Sequence, residues 1–319
     1  MKTFRYVGLI LCLVLYNCNS KNQNNINTES EKSNQYITVL GIAQDAGFPQ
    51  INCSKSCCQS YYDGIESKKM ISCLGLIDLE SNEKWLFDAT PDIVEQTQIL
   101  KEHHLDNHNI IDGIFLTHAH IGHYTGLMFL GLEAMNADKI PVYTMPRMKN
   151  YLEKNGPWSQ LVQKNNIELV RITNDSTLLI NQNLSVTPIK VPHRDEYSET
   201  VGYKIEGKRK SALFIPDIDK WHVWNRNIIE EVKKVDYAFV DASFFKDGEL
   251  ERDMSKIPHP FTTETTTLFQ NESLETKNKI HFIHFNHTNP TIKENHPFKD
   301  SIQKLGFRFA KEGMNFSLD

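Results

Sequence analysis

The sequence lacks an apolar run long enough to cross a bilayer. Its most hydrophobic stretch, Val7-Gly-Leu-Ile-Leu-Cys-Leu-Val-Leu-Tyr16, is far shorter than the roughly 20 residues a spanning helix needs. It also lacks a stripe of lysine and arginine. With 35 basic against 40 acidic residues and a formal net charge of −5, the chain offers no electrostatic footprint for nucleic acid, and none is expected as a partner. Nothing in the composition signals disorder or a fibrous fold: 39% apolar and 24% charged residues are ordinary for a soluble globular protein. A length of 319 residues suits one large domain or two small ones with a substantial core.

The amino-terminal residues stand apart from that core. Lys2 and Arg5 precede the apolar run, which reads as the hydrophobic region of a signal peptide over residues 1–18. Leu15-Tyr16-Asn17-Cys18 resembles a bacterial lipobox, in which Cys18 would be acylated after cleavage; Asn17 stands where that motif has a small residue. The expectation is an exported lipoprotein anchored on the periplasmic side of a bacterial membrane; the simpler alternative is a secreted protein in which Cys18 is incidental. Residues 19–35 are rich in Asn, Ser, Lys, Glu and Gln and read as a disordered tether, which leaves 36–319 as the folded domain.

The chemistry concentrates in Leu116-Thr-His-Ala-His-Ile-Gly-His-Tyr-Thr-Gly-Leu127. Ahead of it, Ile110–Leu116 is apolar and β-branched, as a buried strand is. After Gly122, the spacing of Tyr124, Leu127, Met128 and Leu130 has helical period. His118, His120 and His123 therefore lie on a strand-to-helix loop. In extended chain the first two point to one side, and the third opens the helix facing them. A lone histidine is more often a hydrogen-bonded loop residue than a ligand. Three at this spacing directly after a buried strand form a ready site for Zn²⁺ or another transition metal.

Strand and helix patterns alternate through the rest of the chain. Strands are expected over 36–42, 71–78, 84–88, 140–144, 167–172, 184–191, 200–206, 211–215, 237–241, 279–284 and 307–309. Helices are expected over 93–102, 147–165 with a break at Gly156-Pro157, 221–234, 262–271 and 291–305. Strand pairs followed by helices, twice over, fit two sheets sandwiched between helices, though order alone also allows a plain mixed α/β fold.

The histidine motif resembles the His-x-His-x-Asp-His signature of the metallo-β-lactamase fold, with Gly122 where that family has Asp. The resemblance covers nearly all of 36–319 and implies an αββα sandwich of two mixed sheets flanked by helices. It also implies ligands on further strand-end loops, and each such place is filled. His193 follows the strand at 184–191 and would complete a three-histidine site with His118 and His120. Asp217 ends the strand at 211–215 and would bridge two metals; His284 follows the strand at 279–284 and would join His123. Asp88, at the end of a strand, matches the family's structural Asp and would orient a ligand.

Two narrower resemblances follow. Gly47-Phe-Pro-Gln-Ile-Asn-Cys53 and Asn286-His-Thr-Asn-Pro290 are similar to the coenzyme PQQ synthesis protein B family. The Cys-rich loop, the pair His284 and His287, and the ending Gly306-Phe…Gly313-Met look like the phosphoribosyl cyclic phosphodiesterase of phosphonate breakdown. That likeness implies a separate structural zinc site of Cys53, Cys57, Cys58 and His287. Adjacent Cys57 and Cys58 do not readily bond to each other, whereas three thiolates and an imidazole make a tetrahedral Zn²⁺ cage. The spacing Cys-x3-Cys-Cys differs from the relative's, and an exported location would favour disulfides instead. Cys73, in a strand, reads as a buried thiol. His259 lies where the phosphodiesterase has a histidine near the leaving group; it would be a general acid or a loop residue capping a helix at Thr262. Arg194, Lys220, Trp158 and Trp221 are candidates to line a pocket for an anionic, ring-bearing substrate.

Gly122 leaves the second metal with His123, Asp217 and His284 and makes the centre more positive, which favours an anionic substrate. On this reading Gly122→Asp raises occupancy of the second site; failing that, Asp45 or Asp195 would fill the gap. The reading as a whole is a zinc-dependent hydrolase of a phosphodiester or cyclic phosphate, acting through a metal-bound hydroxide. It carries one or two catalytic Zn²⁺ and one structural Zn²⁺, and Mn²⁺ or Fe²⁺ would also suit the catalytic site. The alternatives are a PQQ-protein-B-like oxidative or biosynthetic metalloprotein and a non-catalytic metal-dependent binding protein.

Overall fold

The computed structural model describes residues 33–319; the expected signal peptide, Cys18 and nearly all of the expected tether lie outside the described residues. Gln35, assigned to that tether from sequence, is the first residue of the first strand and fully buried, its side-chain amide donating to Asp78 at 2.8 Å. Among the described residues no helix is long and apolar enough to cross a membrane.

Two seven-stranded mixed sheets face each other, as the resemblance implied. The first half of the chain supplies β1 (Gln35–Gly41), α1 (Ser56–Tyr62), β2 (Cys73–Asp78), β3 (Glu83–Phe87), α2 (Ile93–His103), β4 (Gly113–Phe115), α3 (Ile121–Tyr124), β5 (Ile140–Thr144), α4 (Pro146–Lys154), α5 (Trp158–Gln163) and β6 (Ile167–Arg171). The second half supplies β7 (Leu178–Leu179), β8 (Ser185–Lys190), β9 (Val201–Glu206), β10 (Ser211–Ile215), α6 (Ile228–Lys233), β11 (Tyr237–Asp241), α7 (Thr262–Leu268), α8 (Leu274–Asn278), β12 (Ile280–Ile283), α9 (Pro297–Lys304), β13 (Arg308–Phe309) and β14 (Asn315–Ser317). The sheets run β14-β1-β2-β3-β4-β5-β6 and β13-β12-β11-β10-β9-β8-β7. Thus the last strand returns to the first sheet, where Tyr36 pairs with Ser317.

Period-two alternation sorts the side chains into layers. Leu74, Leu76, Trp85, Phe87 and Phe115 point from the first sheet into the core shared with Val186, Tyr203, Phe214 and Phe239 of the second. Their neighbours Ile77, Leu86 and Ile114 point the other way, against Leu100 of α2, Met148 and Leu152 of α4 and Leu161 of α5. In both sheets the parallel strands β3–β6 and β10–β13 are joined through helices, so their carboxyl ends open on one edge. Loops at those ends collect the functional residues.

Four elements have no counterpart in the sequence reading: α1, α8, and the very short β7 and β14. Two expected helices are shorter than their apolar pattern. The one expected over 221–234 is a 3-10 turn at Trp221–Val223 and then α6, because the Asn227 side chain accepts the Ile229 N–H and starts a new helix. The one expected over 291–305 begins only at Pro297, a residue suited to a first helical turn.

A pH effect arises where β14 meets β1. Glu312 accepts the Met70 N–H at 2.6 Å; burial pushes its carboxyl up to about 7, against the pull of that N–H and of Lys69. Since the ordinary value is 4.5, the fold favours the protonated form. The penalty is absent below pH 4.5, grows through the interval up to about 7, and is constant above it. Glu312→Gln keeps the acceptor and removes the charge. It is expected to stabilise by about 1–3 kcal/mol near pH ~8, with no gain near pH ~4, read from urea unfolding at both values.

Candidate metal centre

The strand-end loops bring the expected residues together. His118 and His120 follow β4, and His123 sits in α3. His193 follows β8, Asp217 follows β10 and His284 follows β12. Donor atoms of His118, His120, His193 and Asp217 lie within 4.8 Å of one another. So do those of His123, Asp217, His284 and a residue named in the sequence reading only as a stand-in, Asp45. Asp217 belongs to both groups. Its Oδ2 is 3.1 Å from His193 Nε2 and 3.3 Å from His118 Nε2.

An outer ring of partners fixes how the imidazoles point. His123 Nδ1 donates to Asp88 Oδ2 at 2.7 Å, and His193 Nδ1 to Asp219 Oδ1 at 3.0 Å. His118 Nδ1 pairs with Thr117 Oγ1 and His284 Nδ1 with Ser243 Oγ, both at 3.0 Å. With each Nδ1 engaged outward, the Nε2 atoms of these four rings turn inward. Asp88 is fully buried and also accepts the Thr117 N–H at 2.8 Å. Asp88 and His284 both adopt the left-handed backbone region, with φ of 75° and 67°, immediately beyond their strands. Such conformations cost about 1–3 kcal/mol, and here they turn two buried side chains back over the strand ends.

The donor set fits a cation better than it fits itself. His118 Nε2 faces His120 Nδ1 at 2.8 Å, and His284 Nε2 faces His123 Nε2 at 3.3 Å. Each pair places two ring nitrogens lone pair to lone pair unless a proton or cation lies between them. His193 Nε2 and Asp217 Oδ1 are buried with no hydrogen-bond partner among the described residues. Burial, reinforced by the charge on His123, holds the His118 pKa well below its ordinary value, so its lone pair is free. Burial opposes charge on His123 and His193 too. The Asp88 and Asp45 carboxylates nevertheless hold His123 well above the ordinary value, and Asp217 and Asp219 raise His193 to about 9. Asp217, despite its burial, is held well below the carboxylate range by His193 and His259.

His259 belongs to this centre and does not cap a helix. Its Nδ1 lies 2.8 Å from Asp241 Oδ2 and 3.1 Å from Asp217 Oδ1. The first turn of α7 is instead closed by Glu264, whose carboxylate accepts the Phe261 N–H at 2.8 Å. The proposed pocket residues scatter. Lys220 pairs with Glu264 at 2.6 Å, and Trp221 is buried with its indole N–H on Thr265. Trp158 packs on Tyr124 and Tyr151, and Arg194 is exposed beside His193. Asp195 is exposed and paired with Arg147 at 2.9 Å, so it fills no metal position. Sequence reasoning missed Asp219, Asp241, Ser243 and Glu196, the last with its carboxylate 3.7 Å from His120 Nε2. Asp219 and Asp241 each carried a signal, an acidic residue at or just past the end of a buried strand.

A second cluster forms beside this one. Cys53, Cys57 and Cys58 bring their sulfurs within 4.8 Å of one another and of a His287 nitrogen. Cys57 and Cys58 lie in the first turn of α1, which the sequence pattern did not reveal. Cys53 Sγ is 3.6 Å from Cys57 Sγ, and all four described cysteines are free thiols, Cys73 being fully buried as expected. His287 Nδ1 is buried without a hydrogen-bond partner among the described residues. Burial pushes the Cys58 thiol up to about 12, so a thiolate there needs a cation to receive it.

Comparison with known proteins agrees with the fold. A family model described as the beta-lactamase superfamily domain matches residues 84–285. The coenzyme PQQ synthesis protein B of Klebsiella pneumoniae is 26% identical over 312 residues, covering 89% of this chain and 98% of that protein. The crystal structure of Zn(2+)-bound PqqB from Methylobacterium extorquens superimposes with a TM-score of 0.73 at 22% identity, over 89% of this chain and all of that one. A diphosphatase described as from the PhnP family gives 0.63 at 21% identity, over 88% and 96%.

Proposed function

This chain belongs to the β-lactamase superfamily, and on that premise we propose that it is a metal-dependent hydrolase acting on a phosphodiester or cyclic phosphate. The observation that carries the reading is Asp217, a buried carboxylate shared by two abutting groups of inward-turned imidazoles. His118, His120, His193 and Asp217 would hold one ion; His123, His284 and Asp217 would hold a second. A nitrogen-rich set of this kind favours Zn²⁺, with Mn²⁺ or Fe²⁺ as substitutes. Bound there, the ions would acidify a water and polarise the scissile bond.

The chain's own residues do the rest. Asp88, Asp219, Thr117 and Ser243 hold the rings in one tautomer and orientation. His259 has Nδ1 engaged by Asp241, which leaves Nε2 to exchange a proton with a leaving group. A small anionic substrate suits a centre that concentrates cations.

One specific observation favours a second reading. Curated relatives matched over nearly their whole length are PQQ synthesis proteins, which supports an oxidative or biosynthetic metalloprotein. The test is metal analysis of the purified full chain followed by a panel of phosphodiesters, cyclic phosphates and carboxylic esters. Metal-dependent turnover of a phosphodiester is the expected result. Iron content with oxygen consumption would instead establish the second reading. Bound metal with neither activity would overturn both in favour of a binding protein.

A further inference from the structure

In the sequence Gly122 stands where a ligand is missing, and the structure shows why no side chain is there. A Cβ on Gly122 would lie 2.4 Å from Asp45 Cα, 2.9 Å from its Cβ and 2.8 Å from its Oδ1. Real contacts to a Cβ are not that short, and the clash is with backbone, which cannot swing aside. The space that an Asp at 122 would use is already filled by an Asp from elsewhere.

We propose that Asp45 is the carboxylate ligand of the second metal, supplied by the loop after β1, and that Gly122 is the clearance it requires. This rests on the metal-hydrolase reading. Asp45 Oδ1 lies 3.0 Å from His123 Nε2 and 3.6 Å from His284 Nε2. With Asp217 these atoms form a four-donor group, as complete as the three-histidine group beside it. The second position therefore has two carboxylates and two imidazoles. The three-donor, more positive centre expected from sequence is corrected accordingly.

The loop is placed by backbone rather than by the metal. Ala43 bridges to Phe285 across the gap between the sheets. Phe285 N–H donates to Ile42 O and Gln44 N–H to Phe285 O, each at 2.8 Å. That pairing sets Asp45, one residue past Gln44, against His284, one residue before Phe285. The competing view makes Asp45 a plain hydrogen-bond partner of His123. It requires protons on both ring nitrogens, because Nδ1 already donates to Asp88. Asn at 45 would still accept that bond but would no longer be an anionic ligand.

The experiment counts ions on the full-length protein after zinc loading, by mass spectrometry, and measures zinc affinity by calorimetric titration after chelation. The native protein is expected to hold two ions beyond the one in the cysteine cluster. Asp45→Asn should lose the second or bind it at least ~100-fold more weakly, with unchanged circular dichroism. Gly122→Asp alone should gain no ion, contrary to the sequence expectation. Asp45→Gly combined with Gly122→Asp should restore the second ion by returning the carboxylate from the other side. The proposal is overturned if Asp45→Asn keeps both ions at native affinity, or if the native histidine centre holds only one. Ion counts are read independently of turnover. A chain that loses its second ion in Asp45→Asn yet hydrolyses nothing would sink the hydrolase reading and leave this one standing.

Discussion

Asp217→Asn is expected to lower turnover by at least ~1000-fold and to empty both positions of the histidine centre while leaving the cysteine cluster loaded. Asp217 is the single side chain common to both four-donor groups, and it is almost wholly buried. An amide keeps the shape but gives up the negative charge that two nearby cations would share, in a place where solvent cannot replace it. His193→Ala removes a donor from the first group only, so it should cost similar turnover while sparing more of the second ion. Turnover is read on whichever phosphodiester the native protein hydrolyses, and ions are read by mass spectrometry on the same samples. A purified Asp217→Asn protein with native ion content and native rate would remove the basis for a shared, bridging carboxylate.

The sheets and most of this centre were legible in the sequence because each donor sits just past a buried strand with a strong apolar pattern. Ile110–Leu116, Leu184–Val191, Ser211–Ile215 and Lys279–Ile283 announce themselves, and His118, His193, Asp217 and His284 follow directly. Asp88 was readable on the same grounds. Residues that work through space were not. Asp45 lies 78 positions before His123 in a polar loop without periodicity, and only the bridge between Ala43 and Phe285 makes it a neighbour. The substitution at 122 was visible as a loss and Asp45 or Asp195 as its possible replacements, whereas the choice between them needed three dimensions. The small elements failed for a plainer reason: α1 has one fully buried residue, and β7 and β14 span two and three residues. No hydrophobic period can register over such lengths.

Cys58→Ser is expected to release the ion of the cysteine cluster, lower Tm by about 5–10 °C and weaken the second ion of the histidine centre by about tenfold. The first effect follows from donor count, since a hydroxyl is a poor replacement for the buried thiolate among Cys53, Cys57 and His287. The third follows from connectivity. Cys53 lies on the same loop after β1 that presents Asp45, and His287 lies on the same loop after β12 that presents His284. An ion held there would tie together, further along, the two segments whose near ends meet at Ala43 and Phe285. Cutting the outer tie leaves the inner pairing to hold both donors alone. Mild chelation of the native protein should strip the histidine centre first, since ions there would be open to solvent and substrate. Thiol titration of the metal-loaded native protein decides the premise: Cys53, Cys57 and Cys58 are expected to be protected and to become reactive on chelation without any reductant, with Cys73 buried throughout. Disulfides among Cys53, Cys57 and Cys58 in that sample would replace the ion with a covalent tie and end the argument.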